Sequence, residues 1–266
     1  MRSNLMPLTN EQILAEAPSV GADAPHPKTS GVYVPISTLQ VVETMKEAGY
    51  GVSRAQQTKS RDPSMRIYGR HLLTFRPLDA FSKPTVGDAV PEVILINSHD
   101  GNCSYRLHVG LFRFVCANGI IAGHTFETVS IRHRGMEATD VVTASESIFK
   151  EHVPKLRHWV ETAAETKLSK KKQLEFATAA QAIRFAEGSF NPEELLACKR
   201  DADIGDDLWH VYNRVQENVM GGGIGYRDSA QRNRHTRPIN RVTKDVIFNQ
   251  QLWDAANEFL PLQAAA

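Results

Sequence analysis

Arginines placed around a tyrosine, in a stretch that alternates like a β-strand, offer the clearest chemistry in this sequence. From Met65 to Arg76, apolar residues alternate with basic and aromatic ones, which predicts a strand with one polar face. A later stretch, 120–134, repeats the alternation. Arginines beside an aromatic ring suit a surface that contacts a phosphate backbone and stacks bases. We therefore predict nucleic-acid contacts at the polar positions of both stretches, which are Arg66, Tyr68, Arg70, Arg76, Arg132 and Arg134.

Other basic clusters lie outside these strands. The run Lys170, Lys171 and Lys172 is added to the predicted nucleic-acid contacts. A loop before the last predicted helix is also basic, with Arg227, Arg232, Arg234, Arg237, Arg241 and Lys244. Charge runs of this kind are more often solvated than functional, and a solvated face on a one-sided sheet would explain the arginine strands equally well. The sequence is compatible with both a nucleic-acid surface and a solvated face.

The sequence contains no recognisable catalytic or metal-binding pattern. It has ten histidines but no HExxH motif and no His/Cys cluster, and His152 and His158 are too far apart to share a helix face. A GxSxG nucleophile motif is missing as well. Cys103 and Cys116 flank an apolar strand, where buried inert thiols are usual. We predict no catalytic residues, no metal and no cofactor. A nuclease would need grouped carboxylates, whereas the candidates are scattered over Asp79, Asp88, Glu92, Asp100 and Glu127.

The glycines between Gly221 and Gly225 could suggest a phosphate-binding loop. Such a loop follows a strand and opens a helix, so that helix amides face the phosphate. These glycines instead follow a predicted helix over 206–220, and no GK[ST] sequence is present. We interpret the cluster as a helix C-cap with a mobile hinge.

Composition sets limits on partners and compartment. The 266 residues carry a formal net charge of +1, so any affinity for nucleic acid must come from local clusters. Three cysteines without a CxxC pair suit a reducing cytoplasm. We find no signal-peptide stretch and no run of roughly 18 apolar residues that could span a membrane. We predict a cytoplasmic protein with no membrane partner.

The pattern of elements changes along the chain. Residues 1–30 are expected to form an N-terminal segment and linker before a single α+β domain over 31–262, which is β-rich over 50–135 and helical over 139–260. The helical part should be interrupted near Pro154 and broken by the run of three lysines.

Two dipeptides predict how the strands connect. Asp100-Gly101 and Asn118-Gly119 carry type I′ hairpin chemistry, so strands near 93–98, 103–116 and 120–134 should be consecutive antiparallel neighbours. The predicted fold class is therefore α+β: an antiparallel β-meander of four to five strands, with helices packed on one face and a helical C-terminal half.

Two stretches of the chain resemble a known family. The first runs from Ile94 to Gly101 and continues through Tyr105-Arg106-Leu107, Gly110-Leu111-Phe112-Arg113 and Cys116-Ala117-Asn118-Gly119. The second comprises Gln216-Glu217-Asn218, Thr236-Arg237-Pro238-Ile239 and Asn249 with Leu252-Trp253. Both are similar to a family of phage- and plasmid-encoded proteins that is catalogued as a bacterial domain of unknown function. The resemblance spans most of 31–260 and implies a mobile-element setting, without catalytic residues to carry over.

The order of elements also resembles another group of proteins. A helix that ends at Gly49-Tyr50-Gly51, then an antiparallel meander, then a helix is similar to the core of the single-strand annealing recombinases. Those proteins form rings and bind single strands in a basic groove, which implies single-stranded DNA and further copies of the chain as partners.

We accordingly predict a non-enzymatic mobile-element protein that binds DNA, expected to be single-stranded, in recombination, replication or protection of phage or plasmid DNA. One alternative is a counter-defence protein that binds and inhibits a host protein. A second alternative is a metal-dependent nuclease.

Overall fold

The computed structural model describes residues 6–30, 33, 36–82, 89–113, 119–121, 129–131, 137–185, 190–239 and 241–261. By their internal contacts the residues divide into two compact units, one within 1–121 and 126–153, the other within 122–125 and 154–266. The first unit holds an antiparallel sheet and the second is mainly helical, which confirms the α+β class with a helical C-terminal half. The sequence predicted one domain over 31–262; the described part of 1–30 belongs to the first unit.

An antiparallel meander forms the centre of the first unit. Its strands are β1 (Tyr50–Gln57), β2 (His71–Pro77), β3 (Ala89–Asn97), β4 (Tyr105–Arg113), β5 (Gly119–Ile121) and β6 (Val129–Ile131). They pair in the order β1-β2-β3-β4-β5, and β6 also pairs with β4. The predicted antiparallel pairing of the strands on either side of Asp100-Gly101 is confirmed, with Leu95 opposite Leu107.

Two details of the meander differ from the prediction. The connection between β3 and β4 is a loop over 98–104 and not a two-residue turn, because Asp100 is used as a side-chain cap: its Oδ1 accepts hydrogen bonds from the Asn102 N–H at 3.0 Å and the Ser98 hydroxyl at 2.6 Å. Of the single strand predicted over 120–134, the described residues show two stretches, β5 and β6, that both pair antiparallel with β4, and the rest lies outside the described residues. Asn118 lies outside the described residues.

The central strands are buried on both faces. Alternate residues of β2 point to opposite sides, and those on either side are at most 4% exposed: His71, Leu73 and Phe75 on one side, Leu72, Thr74 and Arg76 on the other. Helix α2 (Thr38–Glu47) reaches the His71 side through Thr38. It begins at Ser37, whose hydroxyl accepts the Gln40 N–H.

The N-terminal residues pack as part of the first unit. Helix α1 (Asn10–Glu16) begins with a capping box between Thr9 and Gln12. A 3-10 helix, Pro18–Gly21, follows, and its Ser19 is fully buried and donates its N–H to Gln57 Oε1 at 2.9 Å. Part of the segment 1–30, which the sequence predicted as an N-terminal segment and linker, is therefore packed structure. A short helix, α3 (Asp79–Ser82), follows β2.

Aromatic side chains form the core of the second unit. They come from α4 (Ala138–Glu165), α5 (Lys170–Arg184), α6 (Leu208–Gly221) and α7 (Val242–Asn257). The Trp159 and Trp253 rings stack at 3.8 Å between centroids, and the Trp159 indole N–H donates to Asn257 Oδ1 at 2.6 Å. Burial of such large rings is the main stabilising contribution expected for this unit.

The sequence placed a break between two helices at the run of three lysines, which is a few residues too late. Helix α4 continues through Pro154 to Glu165, and the break falls between Glu165 and Lys170. The Ser169 hydroxyl accepts the Lys172 N–H at 3.3 Å and so caps a new helix. The three lysines consequently form the first turn of α5 and do not interrupt a helix.

The glycine cluster ends α6, as the sequence predicted. Gly222 is the C-cap, with φ +66, and Gly223 follows with φ +87. The chain returns directly beside Gly222: a Cβ there would lie 2.7 Å from the Thr236 carbonyl oxygen and from the Arg237 carbonyl carbon. Gly222 is thus required both by its backbone conformation and by the close approach of a second segment.

Replacing Gly222 by alanine should lower the free energy of unfolding by about 2 kcal/mol or more, because strain at positive φ adds to the backbone clash. Urea unfolding followed by tryptophan fluorescence would measure the change. Gly223→Ala is the control for positive φ alone, since nothing lies within 4 Å of its Cβ position. Gly221→Ala, in open space inside the helix, should be neutral or stabilising by up to about 1 kcal/mol. Equal losses for all three variants would contradict this account.

Candidate nucleic-acid interface

The predicted arginine strand is wrong at its N-terminal end. Arg66 and Tyr68 lie in a 3-10 helix, Pro63–Tyr68, that begins at Asp62, whose Oδ1 accepts the Ser64 N–H at 2.9 Å. Proline at the first helical position and an aspartate cap favour this local structure over a strand. Since β2 starts only at His71, the alternation of the sequence does not place these side chains on one sheet face.

Arg76 is a core residue. Its side chain is 1% exposed and donates two hydrogen bonds to Glu92 Oε1, from Nε at 3.0 Å and from Nη2 at 2.7 Å. The Ser53 hydroxyl donates to the same oxygen at 2.8 Å. Burial raises the pKa of Glu92, while Arg76 and Ser53 act to lower it by stabilising the carboxylate. The predicted exposed position of Arg76 is therefore wrong, because β2 is covered on both faces.

Arg66, Tyr68 and Arg70 still lie close together in sequence, before β2 and near the surface of the first unit. Arg66 is exposed, Tyr68 is half-buried with its ring edge-on to His26 at 4.9 Å, and the Arg70 guanidinium reaches the Asn102 carbonyl at 3.5 Å. Their contact with nucleic acid stays a prediction. Arg132 and Arg134 lie outside the described residues.

The lysine cluster sits where a helix favours negative charge. Lys170, Lys171 and Lys172 are exposed in the first turn of α5, next to the positive end of the helix dipole. Cations at this end are unfavourable by about 0.3–1 kcal/mol each when exposed. Glu175 offsets part of this charge, with its Oε1 at 3.8 Å from the Lys171 ammonium. The lysine cluster therefore presents a positive surface that an anion would stabilise.

The basic stretch before the last helix, which the sequence predicted as a loop, folds as an exposed β-hairpin. Strand β7 (Gly225–Arg227) pairs antiparallel with β8 (Asn233–His235). Together with Thr236 and Arg237, we call this segment, 225–237, the basic hairpin. It contains four arginines and one aspartate, and every arginine in it is exposed. The turn carries no Asn-Gly or Asp-Gly pair that would have identified it.

The hairpin register sorts these side chains onto two faces. Tyr226 pairs directly with Arg234, so the two share a face, while Arg227 and Asn233 share the other. The hairpin is anchored at its base, where Thr236 exchanges hydrogen bonds with Ile224: the Thr236 N–H donates to the Ile224 carbonyl at 2.8 Å, and the Thr236 hydroxyl accepts the Ile224 N–H at 3.1 Å.

One carboxylate orders the far end of the basic hairpin. Asp228 accepts hydrogen bonds from the backbone N–H groups of Ala230 and Arg232 and from the guanidinium Nε atoms of Arg232 and Arg234, each of the last two at 3.0 Å. These donors, the Arg232 N–H foremost, lower the pKa of Asp228, so the carboxylate is charged at neutral pH. Asp228 thereby fixes two arginines on the same hairpin face as Tyr226.

An open cleft of about 410 Å³ lies at the foot of the basic hairpin. It is lined by Phe185, Tyr226, Arg234, His235, Thr236 and Arg237. The Arg184 side chain closes one side of this region, because its Nη2 donates to the Arg237 carbonyl at 2.6 Å. Aromatic rings beside exposed guanidinium groups are the combination that single-stranded nucleic acid contacts use.

Three residues of the first family-like stretch, Asn97, His99 and Tyr105, belong to a buried polar network. The Thr38 hydroxyl lies within hydrogen-bonding distance of His71 Nε2 at 3.0 Å, Asn97 Nδ2 at 3.0 Å, Tyr105 Oη at 3.0 Å and His99 Nε2 at 3.3 Å. All five residues are fully buried. His71 has polar partners at both ring nitrogens: Nδ1 lies 2.8 Å from the Ser19 hydroxyl and 3.2 Å from the Gly69 carbonyl, and Nε2 lies 3.0 Å from the Thr38 hydroxyl.

Burial lowers the pKa of His71 from 6.5 to about 3, and repulsion from His99, stacked at 5.5 Å, adds to the effect. The imidazole is therefore neutral at physiological pH. The neutral ring is fully buried between Thr38 and the Ser19 hydroxyl, which lies 2.8 Å from Nδ1, so a substrate could not reach it. This arrangement holds α2 and the N-terminal segment on the sheet, and it explains the histidines structurally.

Part of the second family-like stretch is used in the same way, while its residues Thr236 and Arg237 belong to the basic hairpin. The Gln216 amide on α6 donates to Asn249 Oδ1 on α7 at 2.8 Å, and the Asn249 amide donates to Asp245 Oδ1 at 2.7 Å. The Asn218 amide donates to two backbone carbonyls, those of Leu195 and Ala197. These side chains are at most 2% exposed, so they join helices inside the second unit.

Within the described ranges, no group of three or more His, Cys, Asp or Glu side chains could hold a metal ion. In the same part of the chain, no helix is long and apolar enough to cross a membrane.

The described residues form an antiparallel meander and a helical unit, and buried polar side chains hold each of them together. The helical unit carries the basic hairpin. This is an α+β protein, and no catalytic centre is evident among its described residues. The chain belongs to the domain of unknown function DUF932, which matches residues 25–253.

Two relatives from Escherichia coli (strain K12) cover nearly the whole chain. The UPF0380 protein YafZ is 33% identical over 258 residues, an alignment that covers 96% of this chain and 92% of that protein. The UPF0380 protein YfjQ is likewise 33% identical, with the same coverage. No solved structure matches the chain, so the comparison with single-strand annealing recombinases rests on element order alone.

The His71 arrangement predicts a loss of stability in mild acid. Because the pKa is near 6.5 in the unfolded chain and about 3 in the fold, the unfolded state binds more protons between these values. Stability should therefore fall as the pH drops, by about 2 kcal/mol between pH 7 and 5 from this group alone. Urea unfolding at both pH values would measure it.

His71→Gln removes the titrating group, so the variant should be less stable at pH 7 but lose less on going to pH 5. His158→Gln, at an exposed position on α4, is the control and should keep the wild-type pH dependence. The same change in unfolding free energy for wild type and His71→Gln would show that His71 is not responsible.

Proposed function

We propose that the protein binds DNA, in single-stranded form, through the basic hairpin of its second unit, in recombination, replication or protection of phage or plasmid DNA. The observation that carries the proposal is the presence of four exposed arginines on one anchored two-stranded ribbon, which also carries Tyr226 on the face of Arg234. The formal net charge of the whole chain is only +1, so this local concentration of positive charge is not a consequence of overall composition.

A two-stranded β-ribbon is narrow enough to follow a phosphate backbone or to enter a wide groove. Guanidinium groups contact phosphates through several N–H donors in a fixed plane. Tyr226 adds an aromatic face on the side that carries Arg234. Phosphate contacts combined with base stacking are typical of proteins that bind single strands with little sequence preference.

Two further clusters are proposed as additional contacts. Lys170, Lys171 and Lys172 offer positive charge in the same unit, at the N-terminal turn of α5. Arg66, Tyr68 and Arg70 offer an aromatic ring with two cations in the first unit. Each cluster can be removed separately, so their shares in binding are measurable.

The first test is the salt dependence of binding to a single-stranded oligonucleotide. Each phosphate contact contributes about −0.7 to the log–log slope of affinity against salt. The double variant Arg227→Ala/Arg237→Ala should therefore bind more weakly and flatten the slope by roughly one to one and a half units. Fluorescence anisotropy from about 50 to 200 mM salt would measure both quantities.

The control for this test is Arg157→Ala/Lys199→Ala, which removes the same charge from exposed positions of the second unit outside the basic hairpin. It should leave the slope unchanged. A hairpin that is merely solvated predicts no difference between the two double variants. If the wild-type protein binds no oligonucleotide even at low salt, DNA binding is excluded and the alternative, a partner protein of the host, takes its place.

A gain of affinity would be a sharper result than a loss, because unfolding cannot produce it. Asp228 is the only acidic residue of the basic hairpin, so Asp228→Asn leaves its arginines with no carboxylate in that segment. Removing one negative charge about 4 Å from a phosphate is worth ~1 kcal/mol in water, so binding should become about fivefold tighter. Asp201→Asn, an exposed change in the same unit, should have no effect. Unchanged binding by Asp228→Asn would contradict the hairpin as the contact surface, whereas weaker binding would show that the order Asp228 gives the hairpin outweighs its negative charge.

A further inference from the structure

The open cleft at the foot of the basic hairpin has the size and lining of a binding site for one flat aromatic group that carries an anion. Its volume of about 410 Å³ lies in the range of about 300–1,000 Å³ that is usual for small-molecule pockets. We propose that it receives a single unpaired nucleobase of the bound strand. This inference rests on the proposed function, whose tests concern the phosphate contacts, and it assigns a particular site for one base.

The walls of the cleft are held in place from two elements of the second unit. Phe185 follows the last residue of α5, and its ring is flanked by the Arg184 guanidinium, 5.3 Å from the ring centroid, and by the edge of Phe190 at 5.1 Å. The hydrogen bond from Arg184 to the Arg237 carbonyl ties this end of α5 to the hairpin. The spacing of the two walls is thus set before any ligand binds, which reduces the entropic cost of binding.

Tyr226 provides the wall on the hairpin side. It is half-buried, and in the part of the chain that the structure describes its ring makes no contact with another ring. Arg234, which pairs with Tyr226 in the register, lines the same cleft and is held by Asp228. A base that stacks on Tyr226 would accordingly have a guanidinium within reach of its own phosphate.

The chemistry of the lining favours a nucleobase over a simple anion. Among the described residues, two aromatic rings, three cationic or titratable basic side chains and a buried threonine line the cleft, and no described carboxylate does. An isolated phosphate would use the cations but leave the face of the Tyr226 ring unused. A base inside a duplex is stacked between its neighbours and cannot present its face to a protein ring unless it is extruded. The cleft therefore selects for unpaired nucleotides.

The test compares two single strands of equal length and charge, one with normal bases and one made entirely of abasic sites. Both present the same phosphates, so binding through the backbone alone gives equal affinities. If the cleft receives a base, the normal strand binds more tightly, and Tyr226→Ala lowers its affinity about tenfold to a hundredfold while leaving the abasic strand unaffected. Tyr226→Phe keeps the ring and should stay within about twofold of wild type.

The results separate the base site from the proposed function. Wild-type protein that binds both strands equally well would overturn the base site and leave the DNA-binding proposal standing. Equal losses of Tyr226→Ala on both strands would also overturn it, because the tyrosine would then act through the fold or the backbone contacts. Binding to neither strand would overturn the proposed function itself. Thermal unfolding of Tyr226→Ala and Tyr226→Phe checks that both variants fold, and a fluorescent base analogue, quenched on binding to wild type but not to Tyr226→Ala, would support stacking independently.

Discussion

The hydroxyl group of Thr38 is the contact on which the first unit depends. A hydroxyl has one proton and two lone pairs, and here it meets polar groups from β2, β3, β4 and the loop after β3. Each partner is fully buried, so leaving one without a hydrogen bond would cost about 1–3 kcal/mol. The placement of α2, and through His71 and Ser19 that of the N-terminal segment, follows from this requirement. Apolar packing against the sheet would be compatible with several positions of α2, whereas the polar network specifies one.

Much of the resemblance to the family is carried by residues that build the fold, although Thr236 and Arg237 of the second stretch belong to the basic hairpin. The stretch from Asn97 to Gly101 and the pair Gln216 and Asn249 carry much of the resemblance to the family, and the structure uses them to join elements inside each unit. Buried hydrogen bonds tolerate few substitutions, which gives such residues a recognisable sequence pattern without any catalytic role. Exposed arginines at a hairpin follow no comparable geometric rule. The residues behind the DUF932 resemblance therefore mainly explain how the chain folds. The DNA-binding proposal rests on the exposed side chains of the basic hairpin.

The sequence predicted most where short-range chemistry decides the structure. The glycine cap of α6 and the antiparallel neighbours around Asp100-Gly101 follow from backbone conformations that few residues allow, and both are confirmed. The alternation of polar and apolar residues wrongly predicted a strand at Arg66 and Tyr68. A capping aspartate and a proline at the first helical position favour the 3-10 helix found there. Arg76 could not be placed from sequence, since its burial depends on Glu92 from a neighbouring strand. The basic hairpin was missed for a related reason: its turn is organised by the Asp228 side chain and not by a turn dipeptide.

Under the proposed function, Asp228 would also make the hairpin select long polyanions over small ones. A tethered carboxylate competes with incoming anions at an effective concentration in the millimolar range or above. A small anion such as chloride or free phosphate would have to displace it from Arg232 and Arg234 while gaining only one or two contacts. A polymer can first engage Arg227 and Arg237, which Asp228 does not hold, and then exchange with the carboxylate within the same complex. The hairpin would thus bind the abundant small anions of a cell weakly and bind a polyanion more tightly the longer its chain. This discrimination does not depend on base sequence.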